Sequence, residues 1–186
     1  MNKAYSKSSI PLLGIVASGS NAGKTTLITQ LIPELNKHNI RVSVIKHAHH
    51  HFDIDHKGKD SYQIRESGSV QTLIASGNRW ALMTEMSRTP DYKAEADLNA
   101  LLQQLHSKYA DLILVEGFKQ ADIPKIEVYR TDINLALLAS TDHNIIAVAT
   151  DVQLDLNIPT LDLSDIPAIA HFILLNILKF DARLND

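Results

Sequence analysis

The chain contains no cysteine. That excludes disulfides, thiolate zinc sites and thiol catalysis together, and it fits a reducing, cytoplasmic setting. Long apolar runs are also missing. None reaches the ~20 residues that a membrane-spanning helix needs, and the first ten residues lack the hydrophobic core of a secretory signal. Charge of one sign is not in excess. Lys and Arg number 18 against 21 Asp and Glu, a formal net charge of −3, so no global field draws the protein to nucleic acid or to an anionic membrane. Repeats, low-complexity tracts and interdomain linkers are absent. With 186 residues, the expected organisation is a disordered polar tail over residues 1–9 and a single domain over 10–186. No Ser-His-Asp or Cys-His spacing suggests covalent catalysis.

What is present centres on Ser18-Gly19-Ser20-Asn21-Ala22-Gly23-Lys24-Thr25-Thr26. The apolar residues 12–17 precede it and a helical pattern begins near Lys24. Strand, Gly-rich loop, Lys-Thr and helix in that order form the context of a phosphate-binding loop. Small residues let successive N–H groups turn toward one anion, and the helix N-terminus adds partial positive charge. In that geometry Lys24 reaches the β- and γ-phosphates and the Thr25 hydroxyl ligates Mg²⁺. The motif G-x-x-x-x-G-K-[ST] has Gly where this chain has Ser18, so the first turn is expected to differ.

Helix-period and strand-period segments alternate along the rest of the chain. Leu27, Leu31 and Leu35 form a helical stripe, and Pro33 within it predicts a bend or an early end. Residues 41–46 read as a second strand. A polar loop over 47–60 leads to a short helix over 61–66. Residues 70–75 and 79–84 read as a β-hairpin about Ser76-Gly77-Asn78. Pro90 and Asp91 are expected to open a helix carrying Leu98, Leu101, Leu102 and Leu105. Strands follow at 112–115, 126–129 and 145–149, and a final helix begins near Ser164 with Ile166, Ile169, Ile173 and Ile177 on one face. The expected class is α/β, P-loop NTPase-like: a mostly parallel sheet flanked by helices, with an inserted β-hairpin. Ligands in such sheets bind outside the carboxyl ends of the strands.

Three further segments follow strands. The apolar run after Asp111 ends in Glu116-Gly117 and resembles a Walker B segment, whose carboxylate holds Mg²⁺ directly or through water. Asp111 stands at the wrong end of that strand. The loop from Lys46 to His56 gathers His47, His49, His50, His51, Asp53, Asp55 and His56. Three roles compete for it: a transition-metal site, a switch-like loop giving Asp53 or Asp55 to Mg²⁺, or an anion-recognising loop using Lys46, Lys57 and Lys59. Adjacent His residues define no ligand geometry, which makes the first the least favoured. Asp151, after the strand at 145–149, stands where P-loop GTPases carry a base-reading Asp, and a carboxylate there accepts from guanine N1–H and N2–H₂; a capping Asp is equally compatible. Arg79 reads either as a phosphate contact or as an exposed strand residue.

With these residues in place the chain resembles the MobB family, the molybdopterin-guanine dinucleotide biosynthesis adaptor proteins. The resemblance covers nearly everything after residue 10. It rests on residues 19–26, on Ile45-Lys46-His47 through Asp60-Ser61, on residues 78–85 and on residues 112–119. It implies a cytoplasmic homodimer that binds GTP and Mg²⁺, has at most weak GTPase activity, and assists MobA, the guanylyltransferase that joins GMP to molybdopterin. Carried onto this chain, Gly19, Ser20, Asn21, Ala22, Gly23, Lys24, Thr25 and Thr26 hold the phosphates, Lys24 and Glu116 carry any catalysis, and Thr25, Asp53 and Glu116 attend the metal. Whether molybdopterin touches this chain or only the partner stays open. The hairpin around Gly77 is the candidate dimer element. Two alternatives compete: a P-loop small-molecule kinase or ligase, and a metallochaperone GTPase. The first normally brings an Arg-rich lid, which is not found here. The second usually shows Cys or a longer His tract.

Overall fold

The computed structural model describes residues 9–48, 52–133 and 135–179. The expected tail, apart from Ser9, lies outside the described residues, as do His49, His50 and His51. The chain divides into two compact units, one built from residues 1–47 and 98–186 and the other from residues 48–97.

The larger unit is a six-stranded sheet in which every pairing is parallel. In chain order its strands are β1 (Leu12–Val16), β2 (Val42–Lys46), β5 (Leu112–Glu116), β6 (Lys125–Tyr129), β7 (Ile145–Thr150) and β8 (Thr160–Asp162), and across the sheet they lie β2-β5-β1-β6-β7-β8. The central strands are apolar because both faces are covered. Along β1 and β5, Leu13, Ile15, Leu112 and Leu114 pack with Leu27, Leu31 and Leu35 of α1 (Lys24–Lys37) and with Ile169, Ala170 and Ile173 of α4 (Ile166–Asn176). Ile113 and Val115 face the other way, against Leu98 and Leu102 of the short helix α3 (Leu98–Leu102). Alternation along a strand sends neighbours to opposite faces, so the sheet carries a core on each side. Among the described residues no helix is long and apolar enough to cross a membrane.

The smaller unit holds α2 (Asp60–Glu66) and an antiparallel hairpin of β3 (Gln71–Ala75) and β4 (Trp80–Thr84). Its centre is polar. Arg65 is buried beneath the Tyr62 ring and pairs with Asp53, Glu66 and Glu85, while Asp55 accepts from the Ser61 hydroxyl.

The α/β class, the mostly parallel sheet and the inserted hairpin agree with the sequence. Two local expectations do not. Helix α1 runs unbroken past Pro33 to Lys37. Pro33 is exposed while Leu31 and Leu35 on either side are buried, so the carbonyl deprived of its partner faces water and the packed stripe is undisturbed. The helix expected from Pro90 begins only at Leu98. Residues 90–96 are exposed throughout and offer no apolar stripe, and most helical stability in proteins comes from packing such a stripe. Strand β8 has no strong apolar pattern and is added as an edge by pairing with β7.

Candidate functional site

Parallel pairing aligns the carboxyl ends of four strands. Ile15 lies opposite Glu116, Lys46 opposite Glu116, and Val16 opposite Glu127. Everything that follows these strands therefore emerges along one edge. The Gly-rich loop leaves β1 there and turns into α1 through Asn21 and Gly23, both with positive φ (62° and 94°). Gly23 stands at the N-cap position and no side chain caps the helix. By contrast the α4 terminus is capped by Asp165, which accepts from the Ala168 N–H. The first turn of α1 thus presents backbone N–H groups with the positive end of the helix dipole behind them.

Side chains from four elements meet at this turn. Lys24 Nζ folds back over the loop and donates to the Gly19 carbonyl at 3.1 Å. Burial lowers its pKa, aided by repulsion from Lys119 and Lys46 and opposed by Glu116. The Thr25 hydroxyl donates to Glu116 Oε1 at 3.1 Å. Glu116, at the end of β5, is buried. Lys46 Nζ, from the end of β2, donates to Glu116 Oε1 at 2.8 Å and to Thr25 Oγ1 at 3.1 Å. Lys119 Nζ donates to the Ser18 carbonyl at 2.8 Å.

Ser18 has a use for the hydroxyl that a Gly would lack. It donates to the Ala136 carbonyl and lies 3.5 Å from Glu127 Oε1. Glu127 is fully buried and its two oxygens accept the Leu138 and Ala139 N–H groups at 2.8 Å each. The departure from the motif thereby ties the loop to the segment after β6. A shallow recess lined by Ser18, Gly19, Ala22, Tyr129, Arg130 and Leu135 lies alongside. A Cβ placed on Gly23 would come within 3.5 Å of Arg130 Nε, and Arg130 in turn pairs with Asp151 at 3.2 Å.

The Gly-rich loop, Thr25, Glu116 and Lys24 are thus brought together, and Asp151 joins the same edge through Arg130. Asp53 lies in the smaller unit, where its Oδ1 accepts from Arg65 at 2.8 Å. Asp111 is committed elsewhere, clamped by the Arg41 guanidinium and backbone N–H. Arg79 is exposed in the hairpin turn, just before β4. No group of three or more His, Asp or Glu side chains suited to a metal occurs among the described residues. Lys119, Arg130 and Glu127 escape a reading of the sequence alone. Nothing local marks them, although a charged residue between Ile126 and Val128 in an otherwise buried strand is a signal that asks for a partner.

A family model for molybdopterin guanine dinucleotide synthesis protein B matches residues 12–151. The chain belongs to the MobB family. Among MobB relatives, the molybdopterin-guanine dinucleotide biosynthesis adapter protein of Haemophilus influenzae is 45% identical over 91% of this chain and 90% of its own length. The protein of the same name from Escherichia coli is 46% identical over 90% of this chain and 93% of its own. A crystal structure of molybdopterin-guanine biosynthesis protein B (mobB), 27% identical, covers 88% of this chain and 97% of that one with a TM-score of 0.65.

Proposed function

We propose that this MobB-family chain is a cytoplasmic GTP- and Mg²⁺-binding adaptor in molybdopterin guanine dinucleotide biosynthesis, assisting a MobA-type guanylyltransferase. The observation that carries it is the contact between Thr25 Oγ1 and Glu116 Oε1, 3.1 Å apart beneath the phosphate-loop turn. Both are hard oxygen donors, and their separation is close to the ~3.0 Å edge of a Mg²⁺–oxygen octahedron. When bound, Mg²⁺ neutralises charge on the β- and γ-phosphates. The protein's own groups do the remainder. Backbone N–H groups of Gly19 to Thr26 cradle the phosphates, and Lys24 exchanges the Gly19 carbonyl for a phosphate oxygen. Lys119 holds the loop's first carbonyl in place. The base-reading Asn-Lys-x-Asp arrangement is reduced here to a single carboxylate, Asp151, as the guanine acceptor, steadied by Arg130. Asp53 is engaged by Arg65, so the metal reading rests on Thr25 and Glu116. The side chains named here hold phosphate and metal, a positioning role, with at most weak GTPase activity.

The chain acts as a homodimer in this proposal, through the hairpin. Leu73 pairs with Leu82 and Ala75 with Trp80 on one face, where Leu73, Leu82 and Trp80 are all exposed.

Calorimetric titration with Mg²⁺·GTP and Mg²⁺·ATP tests the central claim. The wild type should prefer GTP, and Lys24→Ala should weaken it at least about tenfold, the worth of one charge-assisted hydrogen bond. Glu116→Gln should retain nucleotide while losing its Mg²⁺ dependence. Unchanged GTP affinity in Lys24→Ala would sink the proposal, and a preference for ATP would favour a kinase or ligase.

A further inference from the structure

Lys46 has no assigned part in the site just described, yet it makes one of the shortest contacts there. It is the last residue of β2, in register with Glu116 on β5. Its ammonium touches Glu116 Oε1 at 2.8 Å and Thr25 Oγ1 at 3.1 Å, and those two oxygens lie 3.1 Å from each other. The three atoms close a triangle. Its other two corners are the protein oxygens assigned to the divalent cation. Magnesium ligands stand at about 2.0–2.1 Å, so an ion bound by both oxygens from the ammonium's side would overlap it. From the other side it would still share both oxygens with a positive charge close by, which weakens its binding.

We propose that the Lys46 ammonium competes with the divalent cation for the Thr25–Glu116 pair, so that the cation enters with the nucleotide and not before it. This deepens the Mg²⁺ reading and rests on it. The local charge balance points the same way. Lys24, Lys46 and Lys119 surround one buried carboxylate, Glu116, and each ammonium is already anchored, on the Gly19 carbonyl, on Glu116 and Thr25, and on the Ser18 carbonyl. A bare dication meets net positive charge here and must evict a bound ammonium. A nucleotide brings several negative charges, which give the displaced Lys46 a new partner. The Lys46 side chain is half-exposed, so it can leave Glu116 without opening the core.

The experiment measures Mn²⁺ binding to nucleotide-free protein, reading free Mn²⁺ by electron paramagnetic resonance. Wild type is compared with Lys46→Met, Lys46→Gln and the double variant Lys46→Met/Glu116→Gln, each checked for native circular dichroism. Removing a charge in contact with the carboxylate should tighten Mn²⁺ at least about tenfold in both single variants, and the double variant should lose the gain. With a non-hydrolysable GTP analogue present, the difference between wild type and Lys46→Met should shrink. Equal or weaker Mn²⁺ affinity in the single variants overturns the proposal, as does a gain that survives Glu116→Gln. Failure here is separable from failure of the nucleotide reading. Mg²⁺·GTP binding that still depends on Lys24 and Glu116, beside unchanged Mn²⁺ affinity, removes Lys46 alone.

Discussion

Replacing Gly117 by Ala tests the junction on which Glu116 depends. Gly117 has φ +86°, in the left-handed region, and a Cβ there would stand 2.9 Å from the His47 Cβ. His47 cannot easily retreat. Its N–H donates to the Glu116 carbonyl at 2.9 Å, and its ring stacks on Phe118 with centroids 4.5 Å apart. Gly117 N–H in turn donates to the Ile15 carbonyl at 3.1 Å, so the backbone is also tied to β1. Left-handed backbone costs an L-residue about 1–2 kcal/mol, and overpacking a rigid contact adds about 1–3 kcal/mol. Gly117→Ala should therefore lose about 2–5 kcal/mol, a large share of the ~5–15 kcal/mol typical of a domain. Gly23→Ala is the reference. It shares the positive φ (+94°), but its nearest neighbour is the flexible end of Arg130 at 3.5 Å, so only the backbone cost applies. Urea denaturation followed by circular dichroism, without nucleotide, measures both. Because Trp80 reports only on the hairpin unit, its fluorescence checks whether the two units unfold together. If Gly117→Ala costs no more than Gly23→Ala, the steric argument fails.

Two other outcomes follow from single contacts. Hydrogen bonds from the Arg41 side chain and backbone lower the Asp111 pKa from 3.8 to about 2. A carboxylate lowered in the folded state stabilises above its unfolded pKa and loses that contribution as pH falls through its folded one, so Asp111→Asn should flatten the part of the stability loss that falls between pH 3.8 and about 2. The pair is substantially exposed, so the effect is small, and superimposable acid-denaturation curves would refute it. On the hairpin, Trp80→Glu should convert a dimer to a monomer in sedimentation equilibrium by setting a charge in the apolar face of Leu73 and Leu82; an unchanged mass would remove that face from any interface.

Much of the site can be read directly. The loop from Ser18 to Thr26 is contiguous, and its small residues announce a backbone that must turn sharply. The apolar run ending in Glu116 is equally local. Asp53 and Asp151 stand out by the same logic, as acids in loops after strands, and they meet different ends: Asp151 pairs with Arg130 beside the Gly-rich loop, whereas Asp53 is held by Arg65 within the hairpin unit. A loop acid carries no local mark of which cation will claim it. Pro33 and residues 90–97 mislead for a related reason, since burial decides the length of both helices.

The sequence by itself determined every strand but β8 and the small residues and side-chain types of the Gly-rich loop, because each depends on residues a few positions apart. Only the tertiary structure decided which distant groups meet. The contact between Lys46 and Glu116 spans 70 residues, that between Thr25 and Glu116 spans 91, and that between Ser18 and Glu127 spans 109. All three exist because β2, β5, β1 and β6 pair side by side in parallel with their carboxyl ends level. That order is set by how apolar strands share two cores, a collective choice that no single segment encodes.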